Sequence, residues 1–451
     1  MKSRLLSISI IALIIISVFT ACSNGNEESD DKVSKSDNKV DKITTDELSK
    51  RLDDNDLVII DIRNTSEYNG WKLNNISRGG HIKNAINIPS NWSLENNELK
   101  DFLNDRHITK DKEIVIYGVD TNEVEKMIES FKSIDYKNLY SYEDGILEWS
   151  KNNELPMDKL ANYEKLVYPE WVNELINDKN PETYDNDKYV IFEVSWGDPK
   201  EYNKGHIPGA IHLDTNEIEE EPIWNRKSDE DLEEMLLKYG VTHDTTAIVY
   251  GSDSTAAARA ASVMMYAGVE DVRLLDGGYT SWTSANLEIE KETNQPNSVD
   301  SFGVEVPANP QYIIDTDEVK EMLNDDDSVV VSIRSWEEYI GNTSGYNYIK
   351  PMGRIFGSKW GHAGSDPYHM EDFRNIDNTM RNYNEISKNW SEWGITKDKN
   401  VSFHCGTGWR ASEAFFDAYL MGWDNIAVYD GGWFEWSMNE DNPVESGEPK
   451  K

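Results

Sequence analysis

The sequence predicts an α/β protein of three tandem domains, each with a parallel sheet flanked by helices on both faces. Short apolar runs typical of buried strands occur at residues 58–62, 190–194 and 329–333. Helical patterns such as residues 229–239 separate runs of this kind, which indicates βαβ units. The same order of segments recurs three times along the chain, so an internal repeat gives the number of domains.

The N-terminal segment predicts export. Apolar residues 5–19 follow two basic residues, and the run is too short for a comfortable membrane span. Small residues before Cys22 resemble a bacterial lipoprotein signal, which implies that residues 1–21 are removed and that Cys22 carries lipid. An ordinary export signal or an uncleaved anchor is the alternative. Polar residues 22–41 predict a disordered tether, and the protein is expected at the outer face of the cell membrane.

The three copies of the repeat align through their C-terminal halves at constant offsets. The aligned strands lie at residues 114–118, 247–251 and 401–405. The offset between the second and third copies also brings one Asp-Gly-Gly turn, residues 276–278, onto another at residues 430–432. The predicted domain limits are residues 42–158, 163–295 and 305–449, with the polar run 291–298 as one linker.

The composition excludes some partners. The formal net charge of −39 argues against nucleic acid and anionic membrane surfaces as partners of the folded part. An anionic substrate therefore has to be bound by local arginines against the field of the whole molecule.

The third copy contains a cysteine in a position suited to chemistry. Cys405 ends a strand, glycines follow at 406 and 408, and a helical pattern begins near Arg410. Glycines let several N–H groups point at one spot, and the helix adds the positive end of its dipole. Such surroundings stabilise a thiolate, the reactive form of cysteine. A buried structural thiol is the alternative.

These residues carry a resemblance to a known family. The loop Cys405-Gly406-Thr407-Gly408-Trp409-Arg410 resembles the active-site loop of rhodanese-type sulfurtransferases, and the chain is similar to exported bacterial members with three rhodanese domains. The resemblance implies a catalytic Cys405 that carries a persulfide. It also implies that residues 406–410 bind the substrate. Cysteine-dependent phosphatases need five residues between Cys and Arg, and four occur here.

The offsets predict that the first two domains are catalytically inactive. Gly118 and Gly251 occupy the position of Cys405, and Glu123 and Ala256 occupy the position of Arg410. Glycine has no side chain to act as a nucleophile. By resemblance these domains serve as a scaffold or as a wall of the cleft. Trp196 matches a segment that lines the cleft in two-domain relatives.

Arg334 is a further candidate for binding the donor. It matches the arginine of a family Asp-x-Arg pattern, although Ser332 stands where the acid usually does. An ion pair with Glu337 or Glu338 is an alternative explanation of this arginine.

The resemblance implies a sulfurtransferase that moves a sulfane sulfur from thiosulfate or a similar anionic donor to a thiophilic acceptor. The acceptor is cyanide in an assay and a thiol, which could belong to a protein, in the cell. A 3-mercaptopyruvate-type enzyme, and a persulfide carrier or binding lipoprotein with little turnover, are the alternatives. No cofactor is expected. The pair His362 and His369 lies in a polar loop, and no metal site is expected there.

Overall fold

The computed structural model describes residues 40–73 and 75–449. The predicted signal segment, the lipidated Cys22 and nearly all of the tether lie outside these residues. Among the described helices, none combines the length and the apolar character needed to cross a membrane.

Within residues 40–73 and 75–158, the first domain has seven strands and five helices. The strands are β1 Asp41–Lys42, β2 Leu57–Asp61, β3 His81–Ile82, β4 Ile86–Asn87, β5 Glu113–Tyr117, β6 Leu139–Ser141 and β7 Met157–Asp158. The helices are α1 Thr45–Ser49, α2 Thr65–Asn69, α3 Asn96–Asp105, α4 Thr121–Ser133 and α5 Gly145–Trp149.

The second domain repeats this plan and adds a hairpin. Its strands are β8 Leu166–Val167, β9 Tyr189–Ser195, β10 Ile211–Asp214, β11 Glu219–Glu220, β12 Asn225–Arg226, β13 Thr246–Tyr250 and β14 Asp271–Leu275. Its helices are α6 Pro169–Ile176, α7 Asp229–Lys238, α8 Ser254–Ala267 and α9 Gly278–Ser284. Strands β11 and β12 form the antiparallel hairpin.

The third domain follows the same order. Its strands are β15 Ile313–Ile314, β16 Ser328–Ser332, β17 Arg354–Ile355, β18 Lys359–Trp360, β19 Asn400–His404, β20 Ile426–Tyr429 and β21 Val444–Glu445. Its helices are α10 Thr316–Met322, α11 Trp336–Tyr339, α12 Tyr383–Ser391, α13 Trp409–Leu420 and α14 Gly432–Met438.

The three main sheets have one topology, which confirms the predicted fold class. Their strand orders are β1-β6-β5-β2-β4, β8-β14-β13-β9-β10 and β15-β20-β19-β16-β18. All pairs within these sheets are parallel, and Ser332 lies opposite His404 in the register of the third. The carboxyl ends of parallel strands share one edge, where side chains from different strands meet.

Domains 2 and 3 share one hydrophobic core. Helix α8 is composed mainly of alanine and other small residues, and nearly all of it is buried against α13. The shared core runs from the sheet of one domain to the sheet of the other, and includes Val249, Ala260, Phe415 and Phe403. Continuous apolar burial of this kind makes the pair a single packed unit.

Domain 1 contacts both other domains. Trp71 donates its indole N–H to the carbonyl of Leu166 in domain 2, over 3.0 Å. Arg106 pairs with Glu385 of domain 3 at 2.7 Å. The domain is therefore joined by specific buried and partly buried contacts.

Candidate active site

Cys405 lies at the carboxyl edge of the third sheet. It follows β19, the central strand, and its side chain is 1% exposed. It is the free cysteine of the described chain. The strand places the thiol among the loops that leave β16, β18 and β20.

The loop after Cys405 turns one backbone amide towards the sulfur. The N–H of Gly408 donates to Cys405 Sγ at 3.1 Å. Gly408 has φ +144, a conformation that residues with a side chain rarely adopt, so glycine is needed there. Helix α13 begins at the next residue, Trp409. The amide and the helix terminus both favour a negative sulfur.

Helix α14 supports this loop. Trp433 N–H donates to the carbonyl of Cys405 at 2.9 Å, and Phe434 N–H donates to that of Gly406 at 3.0 Å. Gly432, at φ +55, packs so closely that an added Cβ would lie 2.7 Å from the Gly406 oxygen. The Asp-Gly-Gly repeat thus holds the loop at close range.

Arg410 is buried and paired inside the protein. Its two terminal nitrogens donate to the two carboxylate oxygens of Glu338, each at 2.9 Å. Burial alone would raise the pKa of Glu338, but Arg410 outweighs it and holds that pKa below its usual value. The terminal nitrogens expected to bind the donor are therefore occupied by Glu338. Only Nε is left without a hydrogen-bond partner among the described residues.

Arg334 has no carboxylate partner within hydrogen-bond distance in the described part of the chain. It donates to Ser332 Oγ at 3.1 Å and to the Gly353 carbonyl at 2.7 Å, and its Nη1 has no hydrogen-bond partner there. The expected alternative, an ion pair with Glu337 or Glu338, does not form. In domain 1 the equivalent Arg63 donates twice to Asp61, at 3.0 and 2.6 Å.

Ser332 thus leaves a buried positive charge near the thiol. Burial, with a smaller effect of nearby Arg410, lowers the pKa of Arg334 to about 10, while Glu338 and Cys405 oppose the shift. A guanidinium in this state gains from an anionic ligand, because a buried charge without a partner is costly.

Three tyrosines form the mouth of the site. The ring of Tyr346 covers Gly406, where an added Cβ would lie 2.6 Å from it. The rings of Tyr348 and Tyr368 lie 5.2 and 5.5 Å from that of Tyr346, and are 43% and 74% exposed. Burial raises the pKa of Tyr348 to about 12. The long segment after β18 reaches this mouth, since Tyr346 donates its hydroxyl to the Pro367 carbonyl at 3.0 Å.

Domain 2 reaches the loop from the other side. Trp409 donates its indole N–H to Glu219 Oε1 at 2.7 Å, and Arg259 donates to Glu219 Oε2 at 3.2 Å. Trp196 is 60% exposed, with its ring 6.2 Å from that of Trp224. One feature of the sequence indicates these contacts: Arg259 is the single charged residue of helix α8, which is otherwise made of uncharged and mostly apolar residues.

In the first two domains, glycine stands at the position of Cys405. Gly118 follows β5 and Gly251 follows β13, at the place Cys405 takes after β19. Glu123 accepts a hydrogen bond from Ser90 at 3.1 Å, and Ala256 is buried in α8. Neither copy therefore has a side chain at the position of the thiol.

His404 and the loop histidines give no metal centre. His404 is fully buried, and burial lowers its pKa to about 3, so it stays neutral. His369 contacts Asp366 at 2.7 Å on the surface. Within residues 40–73 and 75–449, no group of three or more His, Cys, Asp or Glu residues is arranged to hold a metal ion.

Comparison with known proteins identifies relatives over most of the chain. The family model for the rhodanese-like domain matches residues 44–152, 168–285 and 315–439. The thiosulfate sulfurtransferase YnjE of Escherichia coli is 44% identical over 392 residues, which cover 86% of this chain and 89% of that protein. The sulfur carrier protein TtuD of Thermus thermophilus is 28% identical over 296 residues, 64% of this chain and 99% of that protein.

Solved structures of EanB are also similar. One contains a cysteine persulfide and ergothioneine; it is 43% identical, has a TM-score of 0.87, and matches 90% of this chain and 100% of its own. Another, in complex with hercynine, has a TM-score of 0.88 at 43% identity, over 91% of this chain and 99% of its own. A tyrosine and a threonine replaced in these structures have the same spacing from the persulfide cysteine as Tyr346 and Thr407 have from Cys405.

Proposed function

The chain belongs to the family of rhodanese-like sulfurtransferases, and we propose that it takes a sulfane sulfur from thiosulfate and passes it to a thiophilic acceptor. Sulfur transfer through a persulfide on Cys405 is the activity of this enzyme. The observation that carries the proposal is the Gly408 amide, which faces the sulfur at the end of the central strand.

The first step loads the enzyme. The thiolate of Cys405 attacks the outer sulfur of thiosulfate and forms a new S–S bond. The bond between the two sulfurs of thiosulfate breaks, and sulfite leaves with its electron pair. The Gly408 N–H and the N-terminus of α13 stabilise the anionic persulfide. We assign donor binding to Arg334, because its Nη1 is free of partners in the described chain.

The second step unloads the enzyme. A nucleophilic acceptor attacks the terminal sulfur, and the electron pair of the persulfide bond returns to Cys405 as thiolate. The two half-reactions give ping-pong kinetics. Arg410 keeps a positive charge next to the sulfur throughout, since its pKa is raised well above the usual value in spite of burial, chiefly by Tyr346 and Glu338.

Sulfite release from thiosulfate tests the proposal. The wild type should release one sulfite per enzyme without an acceptor and gain one sulfur atom on Cys405 by intact mass. With cyanide or a thiol it should turn over. Pyruvate release from 3-mercaptopyruvate in preference to sulfite release would instead identify the mercaptopyruvate class. Loading without turnover would identify a carrier.

A second candidate acceptor is the imidazole of hercynine. The matching spacing of Tyr346 and Thr407, and the aromatic mouth of the site, favour it. Ergothioneine is hercynine with one sulfur added to its ring. The terminal sulfur of the persulfide would bond to the ring carbon, the ring hydrogen would pass to sulfur, and Cys405 would return as thiol, so no external oxidant is needed.

Incubation of persulfide-loaded enzyme with hercynine separates the two acceptors. Formation of ergothioneine, with loss of one sulfur from Cys405, would support the imidazole acceptor. Unchanged hercynine beside rapid transfer to a thiol would exclude it. A Tyr346→Phe variant should affect the imidazole reaction more than the reaction with cyanide, because its hydroxyl lies at the mouth.

We also propose that the protein is an exported lipoprotein held on the outer face of the membrane. The support is the small-residue pattern before Cys22 and the polar segment after it. Labelling cells with a fatty acid should modify the wild type and leave a Cys22→Ala variant unmodified and released from the membrane fraction. Equal fractionation of the two would contradict the anchor.

A further inference from the structure

Two buried side chains of domain 2 lie directly behind the active-site loop of domain 3. Glu219 accepts from the indole of Trp409 and from Arg259. Arg259 also donates to Asp430 Oδ1 at 2.6 Å, across the domain boundary. Gly408 faces this guanidinium, since an added Cβ would lie 3.4 Å from Arg259 Cζ. The residue whose amide contacts the thiol is thus backed by domain 2.

Domains 2 and 3 contact each other through equivalent groups. The N–H of Arg226 donates to Asp430 Oδ2 at 2.7 Å, and the N–H of Met380 donates to Asp276 Oδ1 at 2.7 Å. Asp276 and Asp430 are equivalent positions of the repeat, each at the start of an Asp-Gly-Gly turn. The two contacts are therefore related by an approximate twofold arrangement.

The twofold arrangement of domains 2 and 3 does not extend to Arg259. Arg259 of α8 pairs with Asp430 beside the reactive loop, but its equivalent on α13 is Glu413. Asp276, beside the inactive loop, has no ion pair among the described residues, and burial raises its pKa to about 7. Glu413 is bound by Arg374 of its own domain. Beside the thiol, the aspartate of the Asp-Gly-Gly turn thus pairs with a buried arginine of the neighbouring domain. Beside the inactive loop, the neighbouring domain supplies the partly buried Arg374, which lies 3.7 Å from Asp253 and forms no pair with Asp276.

We infer that Glu219 and Arg259 are positioning residues for sulfur transfer, which hold Trp409 and Gly408 so that the Gly408 amide faces Cys405. This inference rests on the proposed function and adds to it that an inactive domain maintains the reactive loop. The two residues act through Trp409 and Gly408 and need not touch the donor.

The charges that face Glu219 make the arrangement sensitive to pH. Arg259 faces it from α8, Trp409 from α13, and Asp430 from the loop after β20. Burial raises the pKa of Glu219 to about 7, although Arg259 and Trp409 oppose the shift. Protonation of Glu219 removes the negative charge that accepts hydrogen bonds from Arg259 and Trp409. Loading should therefore slow as pH falls through about 7, beyond the effect of thiol ionisation.

Single-turnover loading of Cys405 by thiosulfate, followed by intact mass, tests the inference. In Glu219→Gln and Arg259→Met variants, loading should slow by roughly 10- to 100-fold through misplacement of the loop. Arg259→Lys should recover part of the rate. The limb of the pH profile near 7 should be absent in Glu219→Gln, while the pH dependence of Cys405 alkylation, measured separately, should remain.

Ser262→Ala is the matched control. Ser262 lies in the same interface, where its hydroxyl contacts Ser412 Oγ at 3.0 Å and the backbone carbonyl of Arg259 at 2.9 Å. In the described chain it has no hydrogen bond to the side chains of Arg259, Glu219 or Trp409. This variant should load at the wild-type rate. If Glu219→Gln folds poorly, Trp409→Phe removes the same contact from the other side and should show the same loss.

Three outcomes overturn the inference. They are wild-type loading rates in Glu219→Gln and Arg259→Met, a decrease of loading with falling pH that persists unchanged in Glu219→Gln, or an equal loss of loading rate in Ser262→Ala. Failure of the proposed function is distinguishable from these, because the wild type itself would then acquire no sulfur.

Discussion

At the scale of single residues, the charges around Cys405 are set by which arginine has a carboxylate partner. Arg410 has Glu338, whereas Arg334 has the hydroxyl of Ser332 in place of a carboxylate. The paired arginine can supply a fixed field, and the unpaired one can bind an anion. This division follows from one serine at the position of an aspartate.

Replacement of Arg334 should weaken donor binding. An Arg334→Gln variant keeps hydrogen-bonding capacity and loses the charge, so we expect KM for thiosulfate to rise roughly tenfold with a smaller change in kcat. Steady-state kinetics with thiosulfate check this. Arg63→Gln, at the equivalent position of domain 1, should leave KM unchanged. An unaltered KM in Arg334→Gln would exclude this arginine from donor binding.

Removal of the Glu338 charge should destabilise the protein. Glu338→Gln leaves the Arg410 guanidinium buried without its partner, and breaking such a pair costs about 3–5 kcal/mol. The pKa of Glu338 is below its usual value in the folded state, so its stabilising contribution is present at neutral pH and lost under acid conditions. Urea unfolding at neutral and acidic pH measures both. A variant as stable as wild type at neutral pH would contradict the pairing.

Only some residues of the site could be predicted from the sequence. Cys405 and its glycines were recognisable because they are contiguous and follow a strand. Tyr346, Glu338 and Glu219 come from distant segments, and their approach depends on packing that no local pattern encodes. The positive charge of Arg410 was predictable. Its carboxylate partner, Glu338, was not, because α11 lies far from Arg410 in the chain.

At the scale of elements, the strand-loop-helix unit and α14 act together. The Asp-Gly-Gly turns bring a glycine with positive φ against the loop in domains 2 and 3: Gly278 at φ +56 and Gly432 at φ +55. The sequence predicted the equivalence of these turns from a constant offset. The reason for it, close approach of backbone to backbone, became visible only in the fold.

Two equivalent glycine variants separate structure from catalysis. Gly432→Ala should displace the loop, since the new Cβ would lie 2.7 Å from the Gly406 oxygen. Gly278→Ala meets the oxygen of Gly251 at similarly close range. We expect comparable loss of thermal stability in both, and slower persulfide loading in Gly432→Ala alone. Melting temperature and loading rate are the measurements; equal loading in the two variants would show that the α14 contact does not position the thiol.

At the scale of the whole molecule, the common strand order of the three sheets was predictable because each copy of the repeat carries the same pattern of apolar runs. The way that the copies join was not. Helix α8 is alanine-rich, and its burial against α13 depends on a complementary surface in another domain. The sequence therefore indicated the parts of the molecule more fully than their assembly.

The interface of domains 2 and 3 should respond to pH through Asp276. Burial raises its folded-state pKa from 3.8 to about 7, and Asp377 adds to the shift, while the Met380 amide opposes it. The folded protein then binds the proton more tightly than the unfolded chain between these values. The unfolding free energy should fall as pH rises through this range, by at most about 1.4 kcal/mol per pH unit, and level off above it.

An Asp276→Asn variant tests this contribution. Its unfolding free energy, measured by urea titration across the same range, should lack that part of the pH dependence seen in the wild type. Asp417, on α13, also faces Asp276 and has a raised pKa through burial, so its own titration remains in the variant. Superimposable pH profiles would show that Asp276 stays ionised in the fold.

The reciprocal aspartate contacts of domains 2 and 3 have a consequence for how such a chain can change over generations. A duplicated domain that contacts the other copy through backbone amides keeps that contact whatever residue stands at its own reactive position. Such a domain could lose its thiol without weakening the contact between the two copies. Substitutions elsewhere in it could then adjust the chemistry of the other copy. The fold of domain 2 would then be retained because it supports domain 3.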